Sequence, residues 1–459
     1  MECSTSDRLR VMGSDTIMKH RIARWMEDHR GLIVVLVVLP LSNIFSAVMQ
    51  LRHWIFHRFI SAPENHDERV IAIQKQVMRW NKWPKVKRKL MCTARPNWQS
   101  LSTTFFAKEL CHRITIPLYD ILELKPSHMT IRVEPMVSVG QATAFLVPRG
   151  YTLAVCLEVA EATLGGLAMG VGMTTYSHKV GLYQETIVAY EMVLADGMLV
   201  RVTRDNEYSD LYYTLPWSHG TLGFLVALEL QIIKIKPHVK LEYIPVKGQK
   251  QYCDMIRDLS GALDKHRATP DYLEATVFSK EEAVIMVGKF VDVPYNEQYK
   301  VFQDIVLPMT HLEDQIDKCA ELLDVYPILV YPCRLYDHGP HRGQLRPPRK
   351  DQKVPGTNYG MFNDLGVYGV PKLVREKKRF DAVHVMRELE RFTADMGGYP
   401  FLYADTFMTR KEFEEMFDLT AYEQVRHKYN AEHAFPHLYD KIKPEIDVVK
   451  VGKQYMDPL

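Results

Sequence analysis

A run of glycines is the part of this sequence best suited to chemistry. Thr163 to Thr175 reads TLGGLAMGVGMTT and continues as YSHKVGLYQ, with glycines at 165, 166, 170, 172 and 181. With no side chains in the way, the backbone N–H groups of such a segment can close on a phosphate. The segment is not a P-loop, because no Gly-Lys-[Ser/Thr] follows. It is not a Rossmann fingerprint either, because the spacing fails and the flanks do not read as one βαβ unit. Taken alone, it also fits a glycine-rich loop that binds nothing.

The elements around it narrow the choice. Residues 64–90 carry apolar positions at Val70, Ile71, Ile73, Val77, Met78 and Trp80, which predicts a helix. From residue 112 the period falls to two: ITIPL, DILEL, a KPSH turn and MTIRVEP read as short strands. Gly140 to Gly150 reads as a short helix cut by Pro148. After the glycines, IVAYEMVLADGMLVRVT is a hairpin about Asp196-Gly197. PWSHGTLGF then leads into LVALELQIIKIKP, an alternating strand that ends at Pro237.

Beyond about 238, helical stretches at 251–263 and 382–396 alternate with strands such as ATVFS, AVIMVG and YPILVYP. The chain therefore reads as α+β. Residues 334–358 hold four prolines, three glycines and many charges, which predicts an exposed loop. The expected organisation is an N-terminal segment to 57, a first domain over 58–237, a second over 238–440 and a polar tail from 441.

A net charge of +2 excludes a nucleic-acid binder that works by bulk electrostatics. Seven scattered cysteines without a CxxC pair exclude a disulfide framework or a zinc ribbon, and no Asn-x-[Ser/Thr] sequon occurs. Both facts fit a body in the reducing cytosol. Gly31 to Met49 is 19 residues without a charge, just long enough to cross a bilayer. Pro40, Ser42, Asn43 and Ser46 weaken it, and a buried core helix is the alternative. Cations flank both ends, so the positive-inside rule decides little, though Lys85, Lys87, Arg88 and Lys89 slightly favour a cytosolic body.

The order of strands, glycine segment, Asp-Gly hairpin and Gly-Thr-Leu-Gly-Phe resembles the FAD-binding domain of the vanillyl-alcohol-oxidase/PCMH flavoproteins. At finer grain, MCTARPNW, IRVEP, GGLAMGVGMTTYSHKVGL, YEMVLADG, LPWSHGTLGFLVALE, YPILVYPC and FLYADTFMTRKEFEEMF resemble the Δ24-sterol reductase (seladin/Diminuto) family over residues 31–440. The resemblance implies a two-subdomain flavin domain, a sterol-binding cap and a single-pass anchor in the endoplasmic reticulum membrane. It implies non-covalent FAD held by Thr163, Leu164, Gly165, Gly166, Leu167, Ala168, Met169, Gly170, Val171, Gly172, Met173, Thr174 and Thr175. Arg95 and His178 would assist, with a surface or backbone-bonded histidine as the equal alternative for His178, and Trp98 lies in the same approach loop as Arg95. CTARPNW lacks the histidine through which many relatives attach flavin.

NADPH is the implied reductant, and the side-chain alkene of a sterol is the implied substrate. An isolated alkene accepts hydride poorly. A proton would add at carbon 24, and hydride from reduced flavin would follow at carbon 25. Such a site needs a general acid and π or negative stabilisation of the cation. Tyr403 and Asp405 of LYADTF are the candidates; a satisfied core tyrosine and a helix N-cap are the structural alternatives. The sequence departs from the family twice. Ala94 and Asn97 stand where glycines are expected. After Pro294 the chain passes straight to Tyr295, where the family carries several tens of further residues of the substrate domain. An aldonolactone-type FAD oxidase and a catalytically impaired flavin-binding form are the competing readings.

Overall fold

The computed structural model describes residues 61–443 except 98–105, 293–304, 341–342, 368, 370, 377, 379 and 403–405, with scattered positions between 36 and 51. The chain divides into a unit to Ala62 and a unit from Pro63. In the first, the described apolar side chains Leu36, Leu39, Leu41, Ile44, Val48 and Leu51 are each at least half exposed. Among the described residues no helix is long and apolar enough to cross a membrane. The expected membrane helix is therefore not shown, and most of 31–49 lies outside the described residues.

The second unit opens with α1 (His66–Asn81), which buries Val70, Ile73, Val77 and Trp80 on one stripe. Asp67 and Glu68 in its first turn suit the positive end of the helix dipole. Arg69 Nη1 lies 2.7 Å from Asp120 Oδ2, and His66 Nδ1 lies 2.7 Å from Glu134 Oε1, which ties α1 to the sheet. The strands β1 (Met91–Thr93) and β2 (His112–Ile114) pair in parallel. Next come β3 (Ile121–Lys125) and β4 (Thr130–Val133), joined by a turn ending on Met129 at φ 53°. A Ser138–Gln141 capping box starts α2 (Val139–Leu146). It is followed by β5 (Tyr151–Leu153), α3 (Leu164–Met169), α4 (Ser177–Val180), β6 (Ile187–Val193), β7 (Leu199–Val202), α5 (Ser209–Thr214) and β8 (Phe224–Lys234).

These strands form an antiparallel sheet in the order β3-β4-β8-β6-β7, with β5 also on β8. The Asp-Gly hairpin forms as expected: Gly197 takes φ 91°, and Leu194 N donates to Met198 O at 2.9 Å. The alternation expected of β8 does not hold. Phe224 to Leu230 are buried on both faces, because the C-terminal segment covers the strand as well; Phe224 meets Phe435 at 5.1 Å between ring centroids.

The second sheet begins with β9 (His238–Lys247), followed by α6 (Gln249–Ser260), β10 (Tyr272–Ser279), β11 (Glu282–Val291), β12 (Ile305–Pro308), α7 (Leu312–Leu322), β13 (Ile328–Tyr336) and β14 (Tyr359–Val367). Then come α8 (Lys372–Arg375), α9 (Ala382–Met396) and β15 (Tyr399–Pro400). The order is β15-β12-β14-β13-β10-β11-β9, antiparallel throughout. Asp381 caps α9, and Gly397 at φ 74° ends it. A second core fills the space between this sheet and its helices. The chain then returns to the first core as α10 (Arg410–Met416), α11 (Thr420–Lys428) and α12 (Leu438–Ile442).

Residues 334–358 are not the exposed loop expected. Tyr336 still belongs to β13, and Gln344 and Gln352 are buried, donating to Thr214 O at 3.0 Å and Met396 O at 2.9 Å. Glutamine amides satisfying backbone carbonyls let a polar, proline-rich stretch pack inward.

Where the second sheet meets the first half, burial lifts the Glu274 carboxyl on β10 to about 7, helped by Glu158. A raised folded pKa favours the neutral form, so the stability this group contributes is present at low pH and lost as pH rises through 7. Glu274→Gln should raise stability at pH 8 by about 1–3 kcal/mol, with the gain shrinking toward pH 5. Thermal melts at both pH values check this, and an equal shift at both would refute it.

Candidate functional site

The glycine segment is not a simple loop, since Leu164 to Met169 form a helical turn and a half. Leu164, Leu167, Ala168 and Met169 face the core, while Gly166 alone in 163–172 is exposed. Its glycines serve different ends. A Cβ on Gly165 would stand 2.5 Å from Pro135 Cβ, so that glycine is a packing requirement. A Cβ on Gly172 would press on Leu157, Leu167 and Tyr183. Among the described residues, a Cβ on Gly166 would meet only Thr163 Oγ1, at 2.9 Å. A glycine inside a helix costs about 1 kcal/mol against alanine. Among the described residues, packing inside the chain gives little return for it here, which makes the open face at Gly166 a candidate cradle for a ligand.

One wall of the cradle is the turn Trp217–Gly220. Trp217 N donates to Gly170 O (3.1 Å) and His219 N to Met169 O (2.8 Å). To make both bonds, Trp217 and His219 adopt φ 63° and 49°, rare for non-glycine residues. Backbone strain of this kind collects at functional sites. Burial, with help from Lys441, pushes the His219 imidazole down to about 3, and its Nε2 has no hydrogen-bond partner among the described residues. Trp217 stacks on Phe401 (5.8 Å between centroids, 23°), with Tyr399 and Phe417 beside it.

The other wall carries cations. Arg95 Nη1 donates to Thr163 Oγ1 at 3.2 Å, and Lys108 Nζ donates to Arg95 O at 2.6 Å. Lys441 Nζ donates to His219 O. Burial lowers the pKa of Arg95 and of Lys108, and burial with Lys108 nearby brings Lys441 down to about 8. Ala94 and Asn97 keep negative φ, so neither departure from glycine strains this loop.

The remaining expected site residues fall elsewhere. Thr174 N accepts no ligand role in this geometry, since it donates to Ser177 Oγ at 2.9 Å; Thr175 O receives Leu273 N from β10 at 2.9 Å. Val171 is buried and Met173 packs on the first core. His178 is fully buried, with Nδ1 3.0 Å from Thr175 O and Nε2 2.9 Å from Pro270 O. Desolvation lowers it to about 4. Both nitrogens face backbone carbonyls, so His178 joins the two halves and offers nothing to a phosphate. Tyr403, Asp405 and Trp98 lie outside the described residues. Lys108, Lys441 and the Trp217–His219 turn escaped sequence reading; only the unusual density of PWSHG before a strand pointed toward the turn.

FAD fits the residues present: a cradle that a side chain would fill, an unpartnered buried imidazole nitrogen and converging cations suit a diphosphate. Residues 98–203 match the family model described as FAD binding domain. The chain is 34% identical to the Delta(24)-sterol reductase of Rattus norvegicus, across 95% of this chain and 96% of that one. It is 33% identical to the Homo sapiens enzyme of that name over the same shares, and 31% to that of Arabidopsis thaliana over 90% and 91%. The rat alignment runs 523 positions against 459 residues here, so at least 64 positions have no counterpart in this sequence. Likeness that runs nearly end to end, with Gly166 inside the matched FAD-binding region, places the chain in one group: it belongs to the Delta(24)-sterol reductase family.

Proposed function

We propose that this chain uses non-covalent FAD and NADPH to reduce the Δ24 side-chain double bond of a sterol. The observation that carries the reading is the Gly166 cradle, closed by the Trp217–His219 turn inside a family-length match. Residues 58–237, with the returning segment 399–442, form the flavin side. The seven-stranded sheet forms the sterol side.

Bound FAD would supply two-electron transfer between NADPH and the alkene. The chain's own work is to exclude water, hold the side chain of the sterol and deliver a proton to carbon 24. Tyr403 and Asp405 are the proposed donors. Their segment is bracketed by Phe401 on Trp217 and by Phe407 N, which donates to Glu390 Oε1 at 2.7 Å. Trp217, Tyr399 and Phe417 offer π faces to a developing cation. One NADPH and one proton are consumed per alkene.

The test is purification in detergent, a flavin spectrum and NADPH-dependent reduction of desmosterol. Reoxidation of the flavin by oxygen in place of the sterol would support the oxidase reading instead. Residues 31–49 anchor the chain in the endoplasmic reticulum membrane with the body in the cytosol. The exposed apolar side chains at 36–51 support this. Protease added to intact microsomes should digest the body, and protection beyond residue 60 would reverse the orientation.

A further inference from the structure

We propose that Lys441 and Lys108 clamp the diphosphate of the bound dinucleotide, which makes the C-terminal helix α12 part of the flavin site. The inference rests on the FAD reading above and adds residues that neither the glycine segment nor the matched region 98–203 suggested in the case of Lys441.

Two stretches far apart in sequence, one carrying Arg95 and Lys108 and the other Lys441, bring their cations to the same cradle. Arg95 follows β1, Lys108 precedes β2 and Lys441 sits on α12. Each is fastened to a cradle wall. Arg95 holds Thr163 Oγ1, the atom a Gly166 Cβ would strike. Lys108 holds the Arg95 carbonyl at 2.6 Å and reaches Thr93 Oγ1 at 3.5 Å. Lys441 holds the carbonyl of His219, whose ring Cε1 would be 3.8 Å from a Gly170 Cβ.

Among the described residues no carboxylate forms an ion pair with Lys108 or Lys441. Carbonyl dipoles and one acidic thiol do not repay the desolvation of two ammonium groups beside a guanidinium. The groups that face Lys441 are Lys108, His219 and the thiols of Cys92 and Cys111, and Glu109 acts on Lys108. Cys92 Sγ donates to Lys108 O at 4.0 Å, and Cys92, Lys441 and Lys89 hold the Cys111 thiol down, to about 7. A fixed dianion between the two ammonium groups would settle this excess of positive charge. A diphosphate meets that need, and charge-assisted bonds to it are the strong kind.

The test uses deflavinated full-length protein and flavin fluorescence. Lys441→Met and, separately, Lys108→Met should each weaken FAD binding about tenfold to a hundredfold. Riboflavin, which lacks phosphate, should bind all forms alike, and Lys441→Arg should stay within a few-fold of the native protein. FAD binding should take up a proton between pH 8 and 9, and Lys441→Met should abolish that uptake. Inorganic pyrophosphate should compete with FAD. Unchanged FAD affinity in both methionine variants would overturn the clamp, as would equal losses for FAD and riboflavin. Pyrophosphate that binds without displacing FAD would assign the lysines to a free anion and would also overturn it. Native protein that binds no FAD at all would instead sink the flavin reading.

Discussion

Gly166→Val yields a folded, colourless protein. The valine methyls occupy the open face of α3, where, among the described residues, the only neighbour of a Cβ is Thr163 Oγ1 at 2.9 Å. Overpacking costs about 1–3 kcal/mol. Each charge-assisted bond lost to a displaced phosphate adds about 1.5–3 kcal/mol. Together these lower FAD affinity by at least about a hundredfold. Because Gly166 is exposed and helical, the fold keeps its core, and far-UV circular dichroism should match the native protein.

Two neighbours serve as controls. Gly165→Val drives a methyl into Pro135 and should unfold the domain. Gly170→Val presses a Cβ to 2.9 Å from Gly166 O and dislodges the turn bonded to the Gly170 carbonyl, so stability and flavin fall together. Acid precipitation of the native protein should release its flavin to the supernatant. A yellow Gly166→Val protein with native flavin content would remove the cradle from the site.

Legibility in the sequence tracked the range of the forces involved. Helix α9 was readable to its end residues, because a 3.6-residue period, an Asp cap and a Gly stop are all local. The β6–β7 hairpin was readable because Asp196-Gly197 fixes its own turn. The Trp217–His219 turn was not. Its left-handed backbone is imposed by two carbonyls at the end of α3, almost fifty residues earlier, and nothing in Trp-Ser-His requests it. Gly165 and Gly166 are equivalent as letters, yet one packs on Pro135 and the other stands open. Lys441 sits in a stretch that composition reads as polar tail, and its partner carbonyl belongs to residue 219. For His178 the sequence left a phosphate contact and a backbone-bonded histidine equally open; its neighbours are the carbonyls of Thr175 and Pro270, and the second comes from the far half, where no local pattern reaches.

Insertion of a relative's segment between Pro294 and Tyr295 should raise sterol turnover, and the chain without it should keep FAD while reducing desmosterol slowly. The rat relative's alignment needs at least 64 positions that this sequence lacks, and we propose that they belong at the 294–295 join. That join follows β11, whose pairing with β9 and β10 is complete, and precedes β12, which pairs with β14 and β15. The sheet therefore closes without the segment, which allows the fold to survive its absence. The cradle, the Trp217–His219 turn and the lysines all lie outside it, so flavin affinity should be unchanged by the insertion. Sterol binding is different. Each methylene left in water forgoes about 0.8 kcal/mol, so two of them weaken binding by about tenfold. An open wall also admits water, which screens the proton donor and competes for the cation. Steady-state kinetics with desmosterol, beside the flavin content of both forms, separate the two effects. Full turnover without the insertion would show that the seven-stranded sheet already encloses the sterol, and the segment would then have no part in the pocket.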